Sequence, residues 1–217
     1  MIQLQNVSKS FHTHGVDTVV ADQISVTFPT GKAVAVLGRN GAGKSSLLQM
    51  ISGTVQPDSG QIEVAGTVSW PVGFAQGFHP DLTGLQNTRF VARIFGVDCD
   101  RLETFVRDFS GLEKHFSVPF RTYSQGMRAR LGFALSMGIG FDTYLIDEVT
   151  AVGDAAFRQT CEAALAERLE RHGAVIVSHS LGFVRRVCEA GVLLEAGRAT
   201  WYDDIDAAIA AHQAAMA

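Results

Sequence analysis

Cysteine is scarce in this chain: Cys99, Cys161 and Cys188 are odd in number, widely spaced and without a CxxC pair. Neither a disulfide framework nor a zinc site is expected from them, and they read as buried or incidental thiols. Long apolar runs are missing as well. The nearest candidate, Leu131 to Phe141, stops at Asp142, short of the roughly 20 residues that span a bilayer. A basic region followed by an apolar core is absent from the start, where Met1 to Val7 alternates like a strand, so no secretory signal and a cytoplasmic location are expected. There is no excess of basic residues either. Net charge is −4 and the pI about 5.9, which leaves no global footprint for nucleic acid as a main partner.

What is present suffices for a substantial core, with 217 residues of which 47% are hydrophobic. A mean hydropathy of +0.14 without a membrane span hints at apolar surface reserved for a partner. Strands are expected over Ile2–Val7, Ile24–Phe28, Ala33–Leu37 and Gln61–Ala65, and Thr67–Val72 is expected to extend the same N-terminal layer. From Leu85 to about Leu135 apolar residues recur at helical spacing, as in Phe90-Val91-Ile94-Phe95 and Leu102-Phe105-Val106-Phe109, and this reads as a helical insertion. Short apolar strands return at Thr143–Ile146 and Ala174–Val177, separated by a helix from about Asp154 to His172 and read as buried parallel strands. Asp203 to Ala217 reads as a capped, alanine-rich helix.

The most informative stretch is Gly38-Arg39-Asn40-Gly41-Ala42-Gly43-Lys44-Ser45, which lies between an apolar strand and the helical run from Ser46 to Ile51. Its glycines allow a tight turn in which successive N–H groups point at a polyphosphate, whose charge the helix N-terminus also favours. In this pattern Lys44 reaches the β- and γ-phosphates and Ser45 ligates Mg²⁺. Tyr144-Leu145-Ile146-Asp147-Glu148 sets two carboxylates just beyond another apolar strand, at the edge where open α/β sheets bind ligands. Asp147 suits Mg²⁺, and Glu148 suits the base that deprotonates an attacking water. His179 ends the next apolar strand and suits an imidazole donor to the γ-phosphate. Phe11 has two readings, stacking on the adenine face or packing in the core at the end of an N-terminal strand.

Tyr123-Ser124-Gln125-Gly126-Met127 then opens a helical run. With the glycine loop, the strand ending in Asp147-Glu148 and the strand ending in His179, it gives the chain, over essentially its whole length, a resemblance to the ATP-binding-cassette ATPases. The resemblance implies an α/β fold of the P-loop NTPase type: a RecA-like core carrying an N-terminal antiparallel β layer, with a helical subdomain at about 84–138 inserted in a single domain spanning 1–217. By that resemblance the bound ligand is ATP with Mg²⁺, held by Gly38, Asn40, Gly41, Ala42, Gly43, Lys44, Ser45 and Ser46. Ser124 and Gly126 would cap the γ-phosphate held by the opposite subunit, with Gln125 between them in the same nucleotide-binding segment, and Asp154 would lie at the dimer seam. Gln76 would be the glutamine that senses Mg²⁺ and touches the membrane subunit, although its spacing to Leu82-Thr83 is shorter than usual. The usual Leu-Ser-Gly-Gly-Gln reads Tyr-Ser-Gln-Gly-Met here, so Gln125 must turn its side chain away from phosphate and Met127 lacks the final polar contact.

Within that family, Ser69-Trp70-Pro71-Val72-Gly73, Gly77 to Gly84 and Asp147 to Ala155 resemble polysaccharide exporters. Trp70 to Gly73, Phe90 to Arg93 and Arg128 to Phe133 resemble the ATPase of bacterial capsular polysaccharide export. The resemblance implies an ATP-sandwich homodimer lying peripherally on the cytoplasmic face of the bacterial inner membrane. Two copies of a membrane-spanning permease would be its partners, with periplasmic and outer-membrane export proteins reached through them, and lipid-linked polysaccharide its cargo. O-antigen exporters often carry a further C-terminal carbohydrate-binding domain, for which no room is expected here. An O-antigen or teichoic acid exporter is the alternative. A soluble cassette ATPase acting on DNA is disfavoured by the acidic charge and by the lack of heptads between the glycine loop and Ser124.

Overall fold

The computed structural model describes residues 1–13, 16–72, 77–147 and 155–216. Its strands are β1 (Ile2–Thr13), β2 (Val16–Phe28), β3 (Ala33–Leu37), β4 (Ser59–Val64), β5 (Val68–Pro71), β6 (Thr143–Asp147), β7 (Gly173–Val177), β8 (Ala190–Glu195) and β9 (Arg198–Tyr202). Its helices are α1 (Lys44–Ile51), α2 (Gly84–Phe95), α3 (Cys99–Ser110), α4 (Gln125–Gly138), α5 (Ala155–Leu169), α6 (Leu181–Val187) and α7 (Ile205–Met216). The chain divides into two compact units, one of Met1–Pro71, Phe141–Glu148 and Arg168–Ala217, the other of Val72–Gly140 and Val149–Glu167.

The first unit holds both sheets. Every residue of β3 and β7 is buried, as continuous apolar runs require when a strand is covered on both faces. They form the middle of a six-stranded sheet in the order β5-β6-β7-β3-β8-β9, parallel except for the β8–β9 hairpin. The second sheet, β2-β1-β4, is antiparallel. Ile2, Leu4, Ile24 and Phe28 of that sheet share one core with Leu47, Leu48 and Ile51 of α1 and with Val34, Leu145, Val175 and Val192 of the parallel sheet. Burying each such side chain contributes about 1.5–3 kcal/mol, so α1 is held in place from both sides although its eight residues are too few for a stable isolated helix.

The segment expected at Thr67–Val72 does not extend the N-terminal layer. β5 instead pairs parallel to β6, with Val68 opposite Thr143 and Pro71 opposite Leu145. The physical cause is a polar clip. Thr67 N and Oγ1 donate to Asp142 Oδ2 at 2.7 and 2.9 Å, and Leu145 N donates to Ser69 Oγ at 2.9 Å. The Thr67 backbone N–H, followed by its hydroxyl, holds the Asp142 carboxyl below its ordinary pKa. The β8–β9 hairpin, not anticipated from the sequence, turns at Ala196 and Gly197, both with positive φ (48° and 75°), the pattern of a two-residue primed turn.

The second unit is helical. Thr83 and Gln86 form a reciprocal capping box at the start of α2, Asp98 caps α3 through the N–H of Arg101, and Ser124 caps α4 through the N–H of Met127. Phe109 stacks on Phe133 with centroids 5.8 Å apart, and the Arg130 guanidinium lies 4.3 Å from the Phe157 ring centroid. Cys161 of this unit and Cys188 of the first are buried, and burial pushes both thiols up to about 12, which leaves them inert as nucleophiles. Among the described residues, no helix is long and apolar enough to cross a membrane.

Candidate nucleotide site

The site begins where β3 ends. Gly38 is buried, and a Cβ on it would lie 2.3 Å from the backbone oxygen of Leu194 in β8, so only glycine lets the loop leave the sheet at this point. Gly43 is the N-cap of α1 with φ 95°. A Cβ there would come within 2.8 Å of both Cβ and O of Val20. The first helical hydrogen bond runs from Leu47 N to Gly43 O at 2.9 Å, so the N–H groups of Lys44, Ser45 and Ser46 precede the intrahelical ladder and face the loop. Lys44 Nζ donates to Gly38 O and Arg39 O, both at 2.8 Å, folding the cation back over the loop. Gly38 to Ser46 contains Arg39 and Lys44 and no acidic residue, so side-chain charge and helix dipole agree in sign and favour an anion.

The sheet register gathers the other groups at the same edge. Ile146 pairs with Ile176 and Ile176 with Ala35, so β6, β7 and β3 run level. Asp147 pairs with Val177, His179 lies two residues beyond Val177, and Gly38 three beyond Ala35. β3 sits between β7 and β8, and ligands of open α/β sheets bind beyond the carboxyl ends of such parallel strands. Asp147 is half-buried, while His179 and Ser45 are exposed. The chemistry of this donor set fits Mg²⁺: a serine hydroxyl at the start of α1 and a carboxylate at the end of β6, which packs beside α1, are hard oxygen ligands.

Phe11 is half-buried and does not belong to the core. It pairs with Thr18 in the β1–β2 hairpin, and the Lys9 ammonium sits 5.4 Å from its ring centroid while bonding to Asp58 at 2.6 Å. Asn40 and Gly41 are exposed, Ala42 half-buried. In the helical unit Ser124 and Gln125 are exposed at the start of α4. Gly126 has an ordinary backbone conformation, and among the described residues an added Cβ would meet only Ser124 Oγ at 4.0 Å. The described residues therefore do not require glycine there. Gln76, Glu148 and Asp154 lie outside the described residues.

Two features of the site were not read from the sequence. One is Val20, whose packing against Gly43 gives no motif signal. The other is a cleft of about 260 Å³ lined by Gly38 to Ala42, by Leu193 to Gly197 of the β8–β9 hairpin, and by Val19, His212 and Ala215. The only sequence signal for His212 is its spacing from Ala208 and Ile209 on the buried face of α7.

A family model described as ABC transporter matches residues 21–151. The chain is 46% identical to the polysialic acid transport ATP-binding protein KpsT of Escherichia coli, over 90% of this chain and 88% of that protein. It is 41% identical to the capsule polysaccharide export ATP-binding protein CtrD of Neisseria meningitidis, over 96% of each. Identity to the O-antigen export system ATP-binding protein RfbB of Klebsiella pneumoniae is 36%, over 90% of this chain and 81% of that protein. Among solved structures, the ATP-binding cassette MJ0796, a dimer bound to ADP and Pi, superposes with a TM-score of 0.80 at 18% identity, covering 94% of this chain and 99% of that one.

Proposed function

Because this chain belongs to the ATP-binding-cassette transporter family, we propose that it is the ATP-hydrolysing subunit of an exporter of lipid-linked capsular polysaccharide. The observation that carries the hydrolytic reading is the level register of β3, β6 and β7, which sets the glycine loop, Asp147 and His179 at one sheet edge. The cargo is supported by the relatives, since those named for polysialic acid and capsule export are 46% and 41% identical against 36% for the O-antigen relative.

In this reading the N–H groups of the loop and of Lys44, Ser45 and Ser46 hold the phosphates, and Phe11 lends a ring face to adenine. Lys44 Nζ exchanges two carbonyl acceptors for phosphate oxygens, turning neutral-acceptor hydrogen bonds into charge-paired ones. Ser45, Asp147 and Gln76 would hold Mg²⁺, which when bound draws charge off the β- and γ-phosphates. Glu148 accepts a proton from water as the water oxygen bonds to the γ-phosphorus and the bond to the β–γ bridging oxygen breaks, leaving ADP and phosphate. His179 donates to the γ-phosphate oxygens as they gain charge.

Ser124, Gln125 and Gly126 complete the site of a second copy, with Asp154 at the seam, so that two chains close around two ATP molecules. Closure and reopening drive two copies of a permease, to which this chain binds at the cytoplasmic face of the inner membrane, and periplasmic and outer-membrane export proteins receive the cargo through that permease. Gly126 supports the dimer because the described residues of its own chain leave the space beside it open. Gly126→Ala is expected to raise the melting temperature slightly, as alanine favours a helix over glycine by up to about 1 kcal/mol. The added methyl group obstructs the partner's γ-phosphate, and turnover is expected to fall on the order of 10²-fold, the usual loss for one misplaced donor. A thermal melt and an ATPase assay on the same sample check both halves.

The reading as a whole is tested in proteoliposomes holding the chain with its permease and a lipid-linked capsular polysaccharide. Lys44→Ala is expected to lower ATP affinity by about 10- to 100-fold, since a hydrogen bond between charged groups contributes about 1.5–3 kcal/mol, and to stop ATP-dependent export. Unimpaired export by that variant would remove the loop from the engine. Export of an O-antigen lipid in place of the capsular one would reassign the cargo.

A further inference from the structure

The geometry points to His212 as an additional residue of the nucleotide site, acting from the C-terminal helix α7 and taking up a proton when polyphosphate fills the Gly38–Ser45 loop. This inference rests on the reading of that loop as the nucleotide site. It starts from α7, whose residues Ile205, Ala208 and Ile209 are buried. The fit against β8 is close, since a Cβ on Gly191 would lie 2.5 Å from Ala208 Cβ. His212 continues that buried stripe and lines the same cleft as Gly38 to Ala42. Its Nδ1 is buried and has no hydrogen-bond partner among the described residues. An imidazole nitrogen in that position gives up its hydrogen bond to water without a replacement, which leucine or methionine packed there would avoid.

The charges around it explain the imbalance. Burial, and then the charges of Lys44 and His179, hold the imidazole below its ordinary pKa, which favours its neutral form. Arg39 of the loop and Glu195 at the end of β8 line the same cleft. Arg185 of α6, which packs beside α7, is engaged by Asp206 at 2.6 Å. The group nearest in effect is cationic, and a polyphosphate on Lys44 reverses the sign of the field at His212. An opposite charge nearby favours the imidazolium, which carries donors on both nitrogens. A group neutral in the free protein and protonated in the complex makes binding consume a proton. Affinity therefore rises as pH falls through the interval between the two pKa values, by up to tenfold per unit of separation.

The test is calorimetric binding of a non-hydrolysable ATP analogue to the full chain at pH 6, 7 and 8, in pairs of buffers with different ionisation enthalpies. The wild-type chain is expected to take up a fraction of a proton at pH 7 and to lose affinity about three- to tenfold between pH 6 and 8. His212→Gln is expected to remove that uptake and flatten the pH dependence beyond what the analogue's own phosphate titration leaves. The same uptake and slope in His212→Gln would overturn the inference. Should that variant fail to fold, nitrogen-resolved NMR of the wild-type chain decides, because a His212 ring that keeps its tautomer and charge when the analogue binds also overturns it. Lys44→Ala, run alongside, separates the two readings: equal analogue binding by Lys44→Ala and wild type would overturn the loop assignment, whereas binding lost in Lys44→Ala, together with a wild-type His212 ring that the bound analogue leaves unchanged, would overturn only the role of His212.

Discussion

Glu148→Gln is expected to lower ATP turnover by on the order of 10²- to 10⁴-fold, the range a positioned general base supplies, while ATP still binds. The reason lies in what each neighbouring side chain does. Asp147 ends β6 level with Val177 of β7, and in the proposed function it holds Mg²⁺ while Glu148 serves as the base. An amide has the volume of the carboxylate but no basic oxygen to accept the proton, so water remains a poor nucleophile while phosphate contacts from the loop, Lys44 and Ser124 are retained. Two chains that bind ATP and fail to hydrolyse it lose the event that separates them. The variant is thus expected to accumulate as a closed dimer in ATP and as a monomer in ADP, which light scattering coupled to size-exclusion chromatography distinguishes. Normal turnover would remove Glu148 from the role of base.

The second large effect is expected from Gly43→Ala, one methyl group at the start of α1. Two penalties combine. A left-handed backbone costs a residue with a Cβ on the order of 1–2 kcal/mol, and the new carbon would stand 2.8 Å from both Cβ and O of Val20, closer than carbon and oxygen tolerate. Relief requires moving either the β2 backbone or the loop, and overpacking of this kind adds about 1–3 kcal/mol. The expected sum is about 2–5 kcal/mol of stability, read by chemical denaturation, with loss of nucleotide binding because the loop N–H groups no longer converge. Val20→Gly is expected not to rescue the variant, since the Val20 carbonyl oxygen is as close as its Cβ. Recovery by Val20→Gly would show that side-chain crowding, and not the backbone, sets the requirement.

Local chemistry made much of this legible in the sequence. β3 and β7 are apolar runs buried on both faces, and such strands announce themselves without periodicity. The glycine loop is legible because conformation and chemistry demand the same residues: Gly43 is needed for its backbone, and the proposed function needs Lys44 and Ser45 for their side chains. β5 was not legible, because its partner is chosen by Asp142, which lies 75 residues from Thr67; nothing in Val68–Pro71 itself distinguishes one sheet from the other. The β8–β9 hairpin was missed because Ala196, a residue with no turn preference, occupies a left-handed position that asparagine or glycine would have advertised. Val20 and His212 were invisible for the same reason as β5, since each matters through a neighbour distant in sequence.

The three strands that bring the site together are each five residues long, and their shared register makes strand length a unit of measurement. One residue added to or removed from β3, β6 or β7 would shift its terminal group by about 3.3 Å, more than the length of a hydrogen bond, and turn alternate side chains to the other face. Length changes are thus expected to be costly at the carboxyl edge of this sheet, where they would displace Gly38, Asp147 or His179 from their common edge. The spacing of the proposed site is in that sense written in whole residues, a coarse and stable unit that small side-chain changes in the core do not alter.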